Sequence, residues 1–389
     1  MGIFPYREGP GKMIGPNRTT TGPAPAIYLD ANPLADRHLT GIGRYTARIA
    51  LALASYAPVR FFSNGTYLIL PEDLDWSQDQ DLGAWGRRVW KSRRRPFQKP
   101  PEDSVGIFGC LRPIEKLFPF EISILHDFTP LVVPQTHAEK TRGMFQGFFA
   151  KSLLSSDRAL AVSHSTKADA AWLTGFDQDK IVVAHSGPTL CAARHGHTRT
   201  VTRRPTVGLV VSTLEPRKNA FFLLDWFHDT KALPDGSELW WVGPTGWLTS
   251  RRQLKKYRQA SGNRRVQLLG VVSDERLCQL YQEAGWSIYP SLYEGFGFPV
   301  LDALRHGTPV LASAHSALRE FECPGVFLFD PCDSDSVDLA WQKFQEAGSI
   351  VIPRQAIDDY YNWDRVARTL LEMMPGHLKT KVQNLESAA

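Results

Sequence analysis

Short apolar runs alternate with helical stretches along this chain of 389 residues, and the alternation occurs twice. The first half predicts strands at 26–29, 59–62, 67–70, 105–108, 122–125, 159–162 and 181–184, with helices at 44–56, 138–154 and 166–173. The second half predicts strands at 207–211, 239–242, 266–269, 287–289, 309–312 and 326–329, with helices at 219–227, 274–284 and 299–305. Strands that alternate with helices form mainly parallel, doubly wound sheets. The pattern therefore predicts an α/β fold with two Rossmann-like domains.

A polar segment separates the two halves. It contains the run HGHTRTVTRRP, which is typical of a linker. We predict a flexible leader (1–25), an N-terminal domain (26–188), the linker (189–205), a C-terminal domain (206–355), a helix that can cross back to the N-terminal domain (356–375) and a flexible tail (376–389). Ligands bind such sheets outside the carboxyl ends of the strands, so candidate functional residues are expected there.

Composition excludes several other classes of protein. The five cysteines lack a C-x-x-C spacing, and His195 and His197 have no third ligand nearby, so neither a disulfide framework nor a metal site is predicted. The chain has no apolar run of about eighteen residues and no signal-peptide core at its start. We therefore expect a cytoplasmic protein with reduced thiols. The formal net charge of +5 is too small to require a nucleic-acid partner.

The positive charge is concentrated in one stretch. Seven basic residues lie between Arg87 and Lys99, interleaved with Trp85, Trp90 and Phe97. Basic runs commonly form solvated loops. The alternative is a patch for anionic lipid headgroups, where each basic side chain contributes ~1 kcal/mol and the protein would be peripheral on the inner face of the membrane. The sequence leaves both interpretations open, and no recognition module supports RNA binding.

The segment SLYEGFGFPVLDALRHGTPVLAS, at 291–313, carries the strongest signal for a binding site. Glu294 follows a predicted strand, and Gly295 and Gly297 allow close backbone approach before a helix that starts near Pro299. Free N–H groups at that helix start favour an anionic ligand such as phosphate. Asp302 lies eight residues after Glu294, so both carboxylates can face one cleft. Alternatively, the two acids only cap the helix and favour its dipole.

A second segment, VVSTLEPRKN at 210–219, places Arg217 and Lys218 after a strand, where we predict that they start the next helix. Arginine offers a forked pair of hydrogen bonds and lysine a point charge, which together suit a diphosphate. The alternative is an exposed basic pair.

Three further segments lie at predicted strand ends. The strand before HDFTPL delivers His126 and Asp127, and the first strand is followed by TGIGRYT with Gly41 and Gly43. The segment LLGVVSDERL contains Gly270 and Val272. The glycine pattern around Gly43 fails as a dinucleotide fingerprint because Thr46 replaces the third glycine. A nicotinamide dehydrogenase is therefore disfavoured.

Together these segments resemble glycosyltransferase family 4, whose members are retaining enzymes of the GT-B fold, with two Rossmann-like domains facing each other across a cleft. The likeness covers the chain from about Ile27 to Leu371 and is densest between Val207 and Ser313. It implies a nucleoside-diphosphate sugar donor at the C-terminal domain and an acceptor at the N-terminal domain. It also implies transfer of a hexose with retention, and no cofactor or metal ion.

The resemblance also implies roles for particular residues. Glu294 would bind the sugar and offset positive charge on its ring, and Arg217 and Lys218 would neutralise the leaving diphosphate. His126 would orient the sugar, and Asp302, where the family has Glu, would hold the ribose. The remaining donor-site residues implied are Phe296, Gly297, Phe298, Gly41, Gly43, Gly270 and Val272.

The segment HDFTPL is similar to the corresponding segment of mannosyltransferase-like members of the family. GDP-mannose is therefore the first expected donor, and UDP-hexoses remain open. The acceptor would be a glycan or lipid-linked glycan in cell-surface polysaccharide synthesis. The alternative from another functional class is a GT-B-like protein that binds a sugar nucleotide or a partner without catalysing transfer. A metal-dependent transferase is rejected because none of the Asp-x-Asp pairs clearly follows an apolar strand.

Overall fold

The computed structural model describes residues 26–36, 39–77, 81–96, 99–110, 112–189, 202–246, 257 and 265–380. The first sheet contains β1 (Ala26–Asp30), β2 (Val59–Ser63), β3 (Thr66–Ile69), β4 (Arg93–Pro96), β5 (Ser104–Phe108), β6 (Phe120–Leu125), β7 (Arg158–Ala161) and β8 (Ile181–Val183). Its strand order is β4-β3-β2-β1-β5-β6-β7-β8. Strands β2, β1, β5 and β6 pair in parallel, whereas β3 pairs antiparallel with β2 and β4.

The helices of this half are α1 (Gly41–Leu53), α2 (Leu82–Trp90), α3 (Thr129–Val132), α4 (Glu139–Met144), α5 (Ala150–Leu154) and α6 (His164–Thr174). A π-helical segment, Phe145–Phe149, joins α4 to α5. Helix α1 begins at Gly41 because the Thr40 hydroxyl accepts a hydrogen bond from Gly43 N. The buried side of the helix includes Tyr45 and Ile49.

The second sheet is wholly parallel, with strand order β11-β10-β9-β12-β13-β14. Its strands are β9 (Arg204–Val211), β10 (Glu238–Val242), β11 (Arg265–Gly270), β12 (Ala284–Tyr289), β13 (Val310–Ser313) and β14 (Val326–Phe329). The helices of this half are α7 (Ala220–Asp229), α8 (Asp274–Glu283), α9 (Phe298–Arg305), α10 (Ser334–Glu346), α11 (Arg354–Tyr360) and α12 (Trp363–Met373). Large buried side chains, including Trp241, Trp286, Phe227 and Trp341, fill its core.

The chain divides into two compact units. One contains the described residues up to Ile124, Ser155–Leu160 and those from Trp363 onwards; the other contains the described parts of Leu125–Leu154 and Ala161–Asn362. Within the first unit, α12 packs on α1, and the ring of Trp363 meets that of Tyr45 edge-on at 5.0 Å between centroids. The domain boundaries expected from the sequence stay a prediction.

Two parallel-rich sheets with flanking helices confirm the predicted fold class. Two local expectations were wrong. Gly41 and Gly43 lie in the first turn of α1 rather than in a loop before it. Arg217 and Lys218 lie on a separate 3-10 turn, Pro216–Lys218, and α7 starts after it because Asn219 is left-handed (φ 55°). Up to Pro96, the basic stretch forms the end of α2 and an edge strand, so the solvated loop, one of its two interpretations, does not describe this part of it. Residues 190–201 of the predicted linker, the predicted leader (1–25) and residues 381–389 of the predicted tail lie outside the described residues.

Candidate functional site

Strand order in the second sheet reverses between β9 and β12, and such a switch point is where doubly wound sheets bind ligands. The chain leaves β9 towards the Pro216–Lys218 turn and leaves β12 towards Glu294 and α9. These two connections bring the predicted basic and acidic residues into direct contact. Arg217 Nη1 donates to Glu294 Oε2 at 2.9 Å, and Lys218 Nζ donates to Glu294 Oε1.

The three charged side chains are mostly buried, with 13–17% of each side chain exposed. Burial favours the neutral carboxyl of Glu294, but Lys218 and Arg217 outweigh it and lower its pKa to about 2. Burial acts against the charge of Arg217 too, yet the carboxylates of Glu294, Asp127 and Glu215 raise its pKa above the ordinary value. Burial and Arg217 lower the pKa of Lys218, although Glu294 opposes them. Glu294 is therefore a carboxylate at neutral pH.

Arg217 is fixed by more than this ion pair. Its Nη2 donates to Glu215 at 3.0 Å, its Nη1 donates to the carbonyl oxygen of Tyr293 at 3.1 Å, and its own carbonyl accepts from Leu292 N at 2.9 Å. The two connections are thus bound together through backbone and side chains. Such contacts hold a guanidinium in one geometry before any ligand arrives.

Two buried donors beside this cluster have no hydrogen-bond partner among the described residues. They are the Nε–H of Arg217 and the hydroxyl of Ser212. Ser212 lines a small pocket at the ends of β9 and β12, together with Lys218, Ser291, Glu294 and Gly297. Buried donors are normally satisfied, and an unsatisfied one costs about 1–3 kcal/mol. The arrangement suits an acceptor-rich ligand such as a phosphate group.

The backbone of Glu294 is held from the next loop. Its N–H donates to the Ser316 hydroxyl at 2.8 Å, and its carbonyl accepts from Ala317 N at 3.4 Å. Ser316 itself adopts a left-handed conformation (φ 50°), which is uncommon for a residue other than glycine. Backbone strain of this kind typically costs about 1–3 kcal/mol and persists where surrounding contacts enforce it.

His126 and Asp127 lie against the segment that carries Glu294. A Cβ atom on Gly295 would stand 1.7 Å from the His126 carbonyl oxygen, so only glycine permits this approach. The Thr166 hydroxyl lies 3.3 Å from the His126 carbonyl oxygen and 3.2 Å from that of Gly295. The backbone of the predicted sugar-orienting histidine therefore lies against the residue that follows the predicted catalytic carboxylate.

Helix α6 contributes contacts that sequence reasoning missed. The Tyr293 hydroxyl donates to Asp169 Oδ2 at 2.7 Å. At the start of the same helix, the N–H groups of His164 and Ser165 donate to the Glu320 carboxylate at 3.0 and 2.8 Å. Burial raises the pKa of the Asp169 carboxyl even though the bond from Tyr293 lowers it. These partners are more than 100 residues apart in sequence, so no local pattern could have paired them.

The other donor-site candidates lie in several places. Asp302 is buried in α9, where its carboxylate accepts from the Thr189 hydroxyl at 2.6 Å, and it is not among the residues that line the pocket. Gly297 caps α9 with a φ of 117°, a conformation that favours glycine. Phe296 and Phe298 meet with ring centroids 5.2 Å apart.

Gly270 ends β11 with a φ of 68°, and Val272 follows it before α8. Gly41 and Gly43 belong to α1 of the other compact unit. The structure thus brings the side chains of Glu294, Arg217 and Lys218 together, places the backbone of His126 against Gly295, and lines the pocket with Lys218, Glu294 and Gly297. The roles assigned to all of these residues stay predictions.

Residues 200–349 match the family model of glycosyl transferases group 1. The chain is 23% identical over 374 residues to the O-antigen chain mannosyltransferase B of Escherichia coli, covering 84% of this chain and 93% of that protein. It is 26% identical over 223 residues to the O-antigen chain mannosyltransferase RfbU of Salmonella typhimurium, covering 57% and 60% of the two chains.

Solved structures share the fold. Sucrose-phosphate synthase from Thermosynechococcus elongatus superposes with a TM-score of 0.63 at 18% identity, covering 94% of this chain and all of that one. HepE from Anabaena, solved with UDP and glucose, gives a TM-score of 0.58 at 15% identity, covering 90% and 98%.

Proposed function

We propose that this chain, a glycosyltransferase by the match of its residues 200–349 to the group 1 family model and similar to O-antigen mannosyltransferases, transfers mannose from GDP-mannose, with retention, to a hydroxyl group of a growing cell-surface polysaccharide. The observation that carries the proposal is the pocket at the end of β9. Its unsatisfied Ser212 hydroxyl and the Nε–H of Arg217 lie beside the Lys218–Glu294 ion pair. The phosphate oxygens of the donor would be acceptors for groups at this place, where Ser212 and Lys218 line the pocket.

Arg217 and Lys218 would act on the leaving group. Negative charge grows on the diphosphate as the sugar–oxygen bond breaks, and fixed positive charge at that place lowers the barrier. Arg217 keeps its charge through its carboxylate neighbours, and its contacts to Glu215 and Tyr293 hold it in position. Lys218 can donate to a phosphate oxygen as well as to Glu294, because its ammonium carries three N–H groups.

Glu294 would act on the sugar. Because its pKa is lowered to about 2, the side chain is an acceptor for sugar hydroxyls and a negative charge that offsets the positive charge of the ring in the transition state. His126, whose backbone lies against Gly295, would orient the same sugar. The leaving phosphate would take the acceptor proton, so these residues need not supply a general base.

A transfer assay tests the proposal. The wild-type chain is expected to move radiolabelled mannose from GDP-mannose to O-antigen-type acceptors, and Glu294→Ala to lower the rate by about 100-fold or more, as loss of a preorganised electrostatic group does. Glu283→Ala is the control, since Glu283 forms a surface ion pair with Arg276. Transfer from a UDP-hexose but not from GDP-mannose would show that the donor is a UDP-hexose. Donor binding without turnover on any acceptor would contradict the proposal and favour a silent sugar-nucleotide-binding protein.

A further inference from the structure

The basic stretch of the sequence is built into the edge of the first sheet. Helix α2 ends at Trp90, and β4 is the outermost strand of the order β4-β3-β2-β1. All four residues of β4, Arg93–Pro96, are exposed. Three consecutive arginines are therefore presented on an ordered strand.

The register of the edge strand places these arginines on opposite faces of the sheet. Arg93 lies opposite Ile69, Arg95 opposite Tyr67, and Arg94 opposite Leu68. Directly opposed residues share a face of the sheet, and successive residues alternate. Arg93 and Arg95 thus lie on one face. Arg94 lies on the other, where its guanidinium stands 4.3 Å from the centroid of the Trp90 ring.

The face of Arg93 and Arg95 continues onto β2. Tyr67 lies opposite Phe62, and Arg60, two residues before Phe62, projects from the same side. Arg60 Nη1 donates to the hydroxyl of Tyr28 at 3.0 Å. We call the surface formed by Arg60, Tyr67, Ile69, Arg93 and Arg95 the arginine face.

The charge of the arginine face is not compensated within the described part of the chain. No carboxylate there forms an ion pair with Arg60, Arg93 or Arg95, whereas Arg88, at the end of α2, pairs with Asp73 at 2.8 Å. The stretch from 87 to 99 contains seven basic residues and no acidic one. Ile69 adds an apolar side chain that is 39% exposed.

From this geometry we infer that the arginine face docks on the surface of an anionic lipid bilayer. A guanidinium forms paired hydrogen bonds with phosphate, and the register places Arg93 and Arg95 on one face of the edge strand. Tyr67 packs on Tyr28, with ring centroids 5.4 Å apart, so its ring is engaged within the protein rather than open for stacking on a nucleobase. None of the helices in the described ranges is long and apolar enough to cross a bilayer.

Sedimentation of the full chain with lipid vesicles tests this inference. Vesicles of phosphatidylcholine with phosphatidylglycerol are compared with phosphatidylcholine alone, at about 0.1 M and about 1 M salt, where the Debye lengths are ~10 Å and ~3 Å. Arg93→Ala/Arg95→Ala is expected to bind the anionic vesicles about thirty-fold more weakly, since each basic residue contributes ~1 kcal/mol near such a surface and 1.4 kcal/mol is tenfold. The matched control, Lys231→Ala/Lys343→Ala, removes the same charge from exposed sites elsewhere.

Binding that needs anionic lipid, falls at high salt and is weakened only by the arginine variant supports the inference. Equal binding to neutral vesicles, an unaffected arginine variant, or the same loss in both variants overturns it. Binding of a labelled RNA duplex through Arg93 and Arg95, without binding to anionic vesicles, would also overturn it. All four substituted side chains are exposed, so thermal unfolding should show the variants folded.

Discussion

At the scale of single residues, Glu294 is the group on which the site depends. It is the shared partner of Arg217 and Lys218, and both cations are mostly buried. Removing one member of a buried pair is costly because the other charge stays behind unpaired. The same carboxylate therefore couples the stability of the C-terminal sheet to pH.

Glu294→Gln is expected to lower the free energy of unfolding by about 3 kcal/mol at neutral pH. The pKa of Glu294 is lowered from 4.5 to about 2 on folding, so its contribution is fully present above 4.5 and is lost as pH falls towards 2. The difference between wild type and variant, measured by urea unfolding across this range, should therefore shrink on acidification. Glu283→Gln, in an exposed pair, should show a small difference throughout. A difference for Glu294→Gln that stays constant with pH would contradict this coupling.

Residues that the sequence could identify are those with local signals. Glu294, Arg217 and Lys218 stand beside strand ends in segments rich in glycine or charge. Ser212 gave no such signal, because its unsatisfied hydroxyl becomes visible only when the pocket is formed. Asp302 is bonded to Thr189, 113 residues away in sequence, and spacing alone does not encode that contact.

At the scale of elements, the site depends on how closely the segment before α9 approaches the turn after β6. Gly295 permits that approach, and Thr166 of α6 spans the two backbones. Tyr293 adds a second contact to α6 through Asp169. Helix α6 thus supports both the turn that carries His126 and the segment that carries Glu294.

Gly295→Ala should force these two segments apart. A Cβ atom 1.7 Å from a backbone oxygen cannot be accommodated without movement, so we expect a loss of unfolding free energy of about 2 kcal/mol or more and loss of transfer activity. In α4, a Cβ atom on Gly143 meets nothing within 4 Å, so Gly143→Ala should be stabilising by about 0.4–1 kcal/mol. Thermal and urea unfolding of both variants checks the contrast. Equal stability of the two variants would show that the segment moves freely.

Sequence patterns located most elements because buried strands of a parallel sheet are continuous apolar runs. They missed β4, since an edge strand with the sequence RRRP has no apolar alternation. They also placed the start of α1 three residues late, because Gly41 and Gly43 argued for a loop while the Thr40 cap starts the helix. A helix cap and the pairing of an edge strand depend on individual hydrogen bonds. The spacing of apolar residues in the sequence does not reveal them.

At the scale of the whole molecule, the repeated alternation of strands and helices was sufficient to predict two Rossmann-like sheets. The division into compact units was not predictable in the same way. It places Leu125–Leu154 with the second unit and the chain from Trp363 onwards with the first, and long-range contacts rather than chain order determine it. Tertiary contacts of this kind include Tyr45 with Trp363 and Gly295 with His126.

Because the pocket at β9 and β12 belongs to the fold of one unit, its ligand should stabilise the whole of that unit against heat. A ligand at about 1,000 times its dissociation constant adds ~4.1 kcal/mol, and a domain of this size gains roughly 2–4 °C per kcal/mol, so the correct nucleoside diphosphate should raise Tm by roughly 8–16 °C. We expect GDP and GDP-mannose to do so and UDP compounds to do so less. Ser212→Ala should reduce the shift, since it removes a donor from the pocket, whereas Ser287→Ala, a buried serine of β12 outside the pocket lining, should keep it. A larger shift with UDP than with GDP would show that the donor base is uracil. The absence of a shift with any nucleotide would contradict the binding of a diphosphate beside Ser212 and Arg217.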